Sequence, residues 1–283
     1  MSSRTVRAID NPLPCGIVAW ILAWNGPGSQ TLAGVTVRLA SAYLRVASGL
    51  VSSDSQRRIS PKSDLSAMRV SYGEIGPERP IVEPDLEPSW LDQGWLPLAR
   101  RWVEDAVEVA LPEPNAMVLG TVDADGHPCT RTVLCKGMDA DGVLFFTNYE
   151  SDKGRQLTAT PYASVTFTWI PLARQITVRG PVERTSEKTT SDYWNGRPRG
   201  SQLGAWASRQ SRPVDSRADL EAALVQAGER FGVDTDIPVP AHWGGFRIRP
   251  ESVEFWQGRP NRMHNRIRTR LVDGGWTVER LQP

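Results

Sequence analysis

The tetrapeptide Asp-Ala-Asp-Gly occurs twice, at 123–126 and 139–142, each time between short runs of β-branched, aromatic and aliphatic residues. An Asp-Gly step between two such runs is a strong hairpin signal, because Gly enters the left-handed region that tight turns require. "AMVLGTV" and "TRTVLCK" flank the first copy, and "VLFFTN" follows the second. Further short runs, "ASVTFTWI", "RQITVRGPVER", "GGFRIRP", "SVEFWQ", "NRIRTRLV" and "WTVERL", extend the pattern to the C-terminus. Strands this short and this closely spaced pair antiparallel. Helical periodicity appears at 89–110, with Trp95, Leu98, Trp102, Val103, Ala106 and Val109 on one face, and at 216–231, with Leu220, Leu224, Ala227 and Phe231. The pattern predicts an α+β fold, an antiparallel split β-barrel with peripheral helices.

Residues 1–67 read differently. Arg4 and Arg7 precede the apolar run 14–24 as in a signal peptide, but Asp10, Pro12 and Pro14 interrupt it. We expect a weakly ordered extension over 1–67 and a folded domain over 68–283, with Met68 an alternative start. No apolar run reaches the roughly 20 residues of a membrane span, so no membrane partner is expected. The three cysteines show no paired spacing, which fits a reducing, cytoplasmic setting. No metal site is expected from His127, His242 and His264, which lie far apart in the chain.

Net charge is +1, which argues against nucleic acid as a partner. The basic charge is instead local. Arg259, Arg262, Arg266, Arg268 and Arg270 fall in a stretch without an acid; Arg197, Arg199, Arg209, Arg212 and Arg217 are met only by Asp215. Guanidinium clusters in a nearly neutral chain suit a small phosphorylated ligand. Three constellations carry that chemistry. "RTVLCK" places Arg131, Val133 and Cys135 on one strand face and Thr132, Leu134 and Lys136 on the other, and the next strand leads through Thr147 into a helix that Ser151 caps and Lys153 joins, a seat for an anion. Tyr193, Arg197 and Ser201 recur at intervals of four, on a loop that "RPRG" bends. Arg262, His264 and Arg266 alternate, so an extended chain would set all three on one face.

In order, "RTVLCK", "FFTN…SDKG", "RQITVRG", "SDYWNGRPRGSQLGAWASRQS", "HWGGFRI" and "EFWQGRPNRMHNR…ERLQP" resemble the pyridoxamine/pyridoxine 5′-phosphate oxidase family from about Met68 to Pro283. The resemblance implies an FMN-binding split barrel, a homodimer with FMN at the subunit interface, and oxidation of phosphorylated B6 vitamers to pyridoxal 5′-phosphate with O2 as acceptor. It implies an FMN site from Arg131, Thr132, Val133, Leu134, Lys136, Phe146, Thr147, Lys153, Gln175, Gln210, Ser211, Trp256 and Arg266. It implies that Lys136, Tyr193, Arg197 and Ser201 hold the substrate phosphate, that Arg262 and His264 meet the pyridine ring as catalytic groups, and that Arg69 and Tyr72 close the site. Two positions depart from the family's usual pattern: Phe146, often Tyr, and Asp152, often Arg, for which Arg155 is a compensating cation. The alternatives, another split-barrel flavin or deazaflavin reductase and a non-catalytic flavin- or pyridoxal-phosphate-binding protein, do not need the Tyr193–Arg197–Ser201 and Arg262–His264 sets together.

Overall fold

The computed structural model of the chain describes residues 84–283. The expected extension, its boundary at 67/68, and Arg69 and Tyr72 lie outside the described residues.

Ten strands form one antiparallel sheet: β1 (Ala116–Val122), β2 (Pro128–Leu134), β3 (Gly137–Asp139), β4 (Gly142–Asn148), β5 (Tyr162–Trp169), β6 (Arg174–Arg184), β7 (Trp243–Ile248), β8 (Ser252–Gln257), β9 (Asn265–Val272) and β10 (Gly275–Arg280). The first Asp-Gly turn joins β1 to β2 as expected, and the second leads into β4 from a short strand, β3, that the sequence did not mark, with Gly126 at φ 84° and Gly142 at φ 129°. The curl of the barrel comes from β6. Its first part, Arg174–Arg179, pairs with β8, whereas Val182–Arg184 pairs with β7, so one strand serves two sheet segments. Gly180 sits at that corner, where a Cβ would lie 1.7 Å from the Arg249 carbonyl oxygen, so only Gly fits.

Among the described residues five helices decorate the barrel: α1 (Trp95–Glu108), α2 (Asp152–Ala159), α3 (Glu187–Asn195), α4 (Arg199–Ala207) and α5 (Arg217–Phe231). The helix expected over 89–110 is split: Pro88–Leu91 is a 3-10 turn, and Gly94 at φ 86° ends it before α1 begins. Helix α1 buries Trp95, Leu98, Ala99, Trp102 and Ala106 against the sheet, with Trp102 edge-on to Phe255 at 5.3 Å. Each Leu-sized side chain so buried contributes about 1.5–3 kcal/mol. Arg174 is buried beneath this helix, held by Asp105 at 2.6 Å with its guanidinium 4.9 Å from the Trp102 ring centroid.

Helix α5 starts as read, with Ser216 Oγ accepting from Asp219 N. Its apolar face is only half used. Ala227 is buried and Phe231 meets Trp206 at 5.2 Å, but Leu220 and Leu224 stay over 40% exposed in the single chain. The helix docks through its C-terminal half.

Candidate active site

The chain gathers its candidate residues into three groups. The first lies where β4 runs into α2. Ser151 is fully buried; its Oγ donates to Asn148 O (2.6 Å) and accepts from Gly154 N (3.2 Å), which caps the helix as expected. Gly154 lets that turn close on β4, because a Cβ would come within 2.2 Å of Tyr149 O. Lys153 Nζ and Thr147 Oγ1 both donate to Gln210 Oε1, at 3.0 and 3.2 Å, and Ser211 Oγ accepts from Asp152 N at 3.2 Å. Gln210 and Ser211 thus reach the helix start from some sixty residues away in sequence.

Arg131, on β2, donates to Gln156 Oε1 at 2.9 Å and to Thr121 Oγ1. Burial, and then the neighbouring Arg131 charge, hold the Lys153 ammonium below its ordinary pKa, and burial lowers Arg131 as well. Two cations share a partly buried spot at a helix N-terminus. The Asp152 carboxylate opposes both shifts and is itself ion-paired to Arg155. Thr132, Val133 and Leu134 pair with Val118, Met117 and Ala116 of β1. The strand ends at Leu134, so Lys136 lies beyond it, exposed, its backbone N–H on Leu144 O of β4 at 2.8 Å. Cys135 turns into the core, and burial pushes its thiol up to about 11.

The second group surrounds the break between α3 and α4. Tyr193, Arg197 and Ser201 were expected on a loop. Tyr193 and Ser201 stand on the two helices instead, and only Gly196–Pro198 breaks the run, where Pro198 cannot continue α3. Phe146, Tyr193 and Trp243 form a stack, with centroids 4.0 Å apart for Phe146–Tyr193 and 5.4 Å for Phe146–Trp243. The missing hydroxyl of Phe146 is therefore the end of a ring that packs face to face. Arg197 lies 4.9 Å from the Trp243 centroid and donates through Nη2 to Ser201 O (3.1 Å), while its buried Nε–H has no partner. A cleft of about 280 Å3 opens here, lined by Phe146, Thr147, Arg197, Ser201, Gln210 and Trp243 among others. It joins the first group to the second. Trp243 belongs to it although the sequence reading left it out; the "HWGGF" stretch was the signal.

The third group is at the other end of the barrel strands. Gln175, Trp256 and Arg266 are cross-strand neighbours on β6, β8 and β9. Arg266 is ion-paired to Glu254 at 2.8 Å and donates to Gln282 O. His264 packs on Trp256 with centroids 4.7 Å apart, and its Nδ1 accepts the Arg259 backbone N–H at 3.0 Å. Burial, then Arg262, lowers the His264 pKa, which favours the neutral ring.

The extended Arg262–His264–Arg266 face is not formed. Pro260–Arg262 is a 3-10 turn with Asn261 at φ 55° and Arg262 at φ 64°, and β9 starts only at Asn265. Left-handed backbone at two successive non-Gly residues reverses the chain, so Arg262 is aimed by a turn and Arg266 by a strand.

A further cluster was not anticipated. Asp123, Asp125 and His127 gather on the exposed β1–β2 turn with ligand atoms within 4.8 Å. Asp123 Oδ1 already accepts the N–H groups of Asp125 and His127, so the cluster is accounted for as turn chemistry.

The Thr147–Ser151 turn and group two stand beyond the Arg184 end of β6, through β7 and β4, whereas group three stands at its Arg174 end. About 30 Å of strand lies between those ends at 3.3 Å per residue. The C-terminal hairpin beside group three leaves Leu271 and Val272 of β9 exposed, together with Trp276 and Val278 of β10, the edge strand of the sheet. Apolar edges of this kind are ordinarily covered by another chain.

Residues 103–231 match the family model described as pyridoxamine 5′-phosphate oxidase, and residues 243–283 match the pyridoxine 5′-phosphate oxidase C-terminal dimerisation region. The chain is 70% identical over 220 residues to a pyridoxine/pyridoxamine 5′-phosphate oxidase of Rhodococcus jostii, covering 78% of this chain and 99% of the relative. It is 56% identical to that of Nocardia farcinica, covering 78% and 99%. Among solved structures it resembles PhzG from Burkholderia lata, in complex with tetrahydrophenazine-1-carboxylic acid, with 30% identity, a TM-score of 0.65, and 70% and 98% of the two chains covered. An FMN-binding protein of Nostoc punctiforme related to pyridoxamine 5′-phosphate oxidase, 18% identical with a TM-score of 0.54 over 65% and 96% of the chains, shares the fold. Among the described residues, no helix is long and apolar enough to cross a membrane. Identity at this level across nearly the whole of a relative goes far beyond a shared barrel, and the chain belongs to the pyridoxine/pyridoxamine 5′-phosphate oxidase family of oxidoreductases.

Proposed function

We propose that the chain oxidises pyridoxamine 5′-phosphate and pyridoxine 5′-phosphate to pyridoxal 5′-phosphate in the cytoplasm, with FMN as cofactor, O2 as electron acceptor and H2O2 as product, at sites shared by two copies. The observation that carries this reading is a cleft that holds the buried Arg197 donor and reaches, through Thr147 and Gln210, the Lys153 cation at the start of α2. One seat suits a cofactor phosphate. Arg131, Lys153, Thr147 and Ser211 supply cations and hydroxyl groups at a helix N-terminus, so the donor set fits FMN. Thr132, Val133, Leu134, Lys136, Phe146 and Gln210 complete that side, and Gln175, Trp256 and Arg266 of the other copy would flank the flavin ring. FMN, when bound, supplies the two-electron acceptor that no side chain can replace.

The second seat suits the substrate phosphate. The buried, unpartnered Arg197 Nε–H, beside Ser201 and Tyr193, is a donor in need of an anion, and Lys136 would join it on the substrate phosphate. The same scaffold in PhzG holds a carboxylic acid, so the barrel alone does not choose the substrate. The Arg197 donor beside the Ser201 and Tyr193 hydroxyls favours a phosphate monoester. Arg262 and His264 would then meet the pyridine ring, Arg262 across its face and the neutral His264 by hydrogen bonding. Their work is orientation.

The test is anaerobic reduction of bound FMN by pyridoxamine 5′-phosphate. Arg262→Met keeps apolar bulk but removes the charge and its donors, and His264→Asn removes the ring. Both variants should purify yellow and reduce FMN at least tenfold more slowly, a loss of about 1.4 kcal/mol of transition-state stabilisation. Parental rates in both would make this loop a charged edge and nothing more.

Asp152 should weaken cofactor binding. Its carboxylate faces the cations that would meet the FMN phosphate, and Arg155 neutralises it only in part. Asp152→Asn should tighten FMN about two- to fivefold, the 0.3–1 kcal/mol of one exposed charge at a helix N-terminus. The gain should fade with added salt. Fluorescence titration of apoprotein with FMN at two ionic strengths reads both effects, and an unchanged dissociation constant would remove Asp152 from the seat.

A further inference from the structure

The segment that precedes α1 is tied to the loop that carries His264. Gln257 accepts the Leu86 N–H through Oε1 (2.9 Å) and donates Nε2–H to Pro84 O (3.2 Å). Arg280 Nη2 donates to Leu86 O and to Glu87 Oε2, both at 2.9 Å, and Leu86 is fully buried. Asp85 takes the central place. Its Oδ1 accepts from Arg259 Nε at 2.6 Å and from Asn265 Nδ2 at 2.9 Å, while Arg259 Nη2 also donates to Pro84 O at 3.0 Å.

Arg259 and Asn265 bracket the loop: one precedes the left-handed residues Asn261 and Arg262, and the other follows His264. One carboxylate oxygen therefore pins both ends of a five-residue excursion. Two consecutive non-Gly residues in the left-handed region persist only where the surroundings over-determine them, and Asp85 is one such constraint. The same bracket fixes the imidazole. Arg259 donates its backbone N–H to His264 Nδ1, so the neutral ring carries its proton on Nε2, and the ring leans on Trp256.

We propose that Asp85 is a positioning residue for the oxidation: acting through Arg259 and Asn265, it holds the loop so that His264 presents an Nε2–H donor, and Arg262 its guanidinium, to an acceptor atom on the substrate ring. The proposal rests on the reading that His264 and Arg262 meet the substrate. The Asp85 side chain is 66% exposed, and an exposed ion pair adds little to global stability. Its loss should therefore appear in catalysis and leave folding nearly untouched.

The experiment compares Asp85→Ala, Asp85→Asn, His264→Asn and the double variant Asp85→Ala/His264→Asn as FMN-loaded proteins. Each is followed by melting temperature, flavin content and the rate of anaerobic FMN reduction by pyridoxamine 5′-phosphate. Asp85→Ala should slow reduction on the order of tenfold, with flavin content and melting temperature near the parent. Asp85→Asn keeps an acceptor oxygen without the charge, so it should fall between, and it serves as the test variant if Asp85→Ala misfolds. In the His264→Asn background, Asp85→Ala should cost much less than in the parent, because the imidazole donor it orients is already gone and only the Arg262 contribution is left to lose.

Ring nitrogen–proton correlation spectra give a readout that does not depend on turnover. The chain has only three histidines, so the His264 signal is the one lost in His264→Asn. It should report an Nε2–H tautomer in the parent and a mixture in Asp85→Ala. Equal fold-losses from Asp85→Ala in both backgrounds would overturn the proposal, and so would parental kinetics in Asp85→Ala beside a slow His264→Asn. Parental rates in His264→Asn itself would sink the underlying reading, and the proposal with it.

Discussion

Replacing Arg197 by Ala should raise the Michaelis constant for pyridoxamine 5′-phosphate roughly ten- to a hundredfold and leave FMN bound as in the parent. The guanidinium is held in place before any ligand arrives: Nη2 on Ser201 O, the charge over Trp243, and Nε–H buried without a partner. A charge-assisted hydrogen bond lost to truncation costs about 1.5–3 kcal/mol, and each 1.4 kcal/mol is a factor of ten. The proposed FMN phosphate seat is a different set, Lys153, Arg131 and the start of α2, whose hydrogen bonds run to Gln210 and Gln156 rather than to Arg197. Steady-state kinetics and flavin absorbance on the same preparation separate the two. Equal losses of flavin and substrate would mean that the two phosphates have been assigned to each other's seats.

That distinction was partly legible in the sequence, and the parts that were hidden have a common cause. Period-two alternation and the repeated Asp-Gly turns marked the strands because those signals are local. Ser151 and Ser216 marked helix starts for the same reason. What escaped depends on residues far apart in the chain. Arg197 stands among Tyr193 and Trp243 rings because α3 and β7 pack together, which no spacing reveals. Gln210 reaches Lys153 across 57 residues. The left-handed turn at Asn261–Arg262 contains no Gly at those positions, so alternation suggested a strand where tertiary contacts impose a reversal. The half-empty face of α5 is a related case: periodicity reports which residues share a face, but what covers that face is set elsewhere in the assembly.

The same separation of local from long-range information bears on how the site is completed. Arg197 and His264 belong to groups at opposite ends of β6, and the C-terminal hairpin beside His264 exposes an apolar edge within a region that matches a dimerisation segment. If one copy supplies the Arg197 cleft and the other supplies the His264 loop, each two-fold dimer holds two sites, and each site draws on both chains. An Arg197→Ala chain and a His264→Asn chain should then rescue each other. Co-expressed with different tags and purified as heterodimer, the pair has one site with both lesions and one with neither. Its turnover at low substrate should be about half the parental value, although either homodimer alone retains only about a tenth or less. A site confined to a single chain gives the opposite result, because every site in the heterodimer then carries one lesion. In that case the heterodimer would show no more than the mean of the two homodimers, and the shared site would have to be given up.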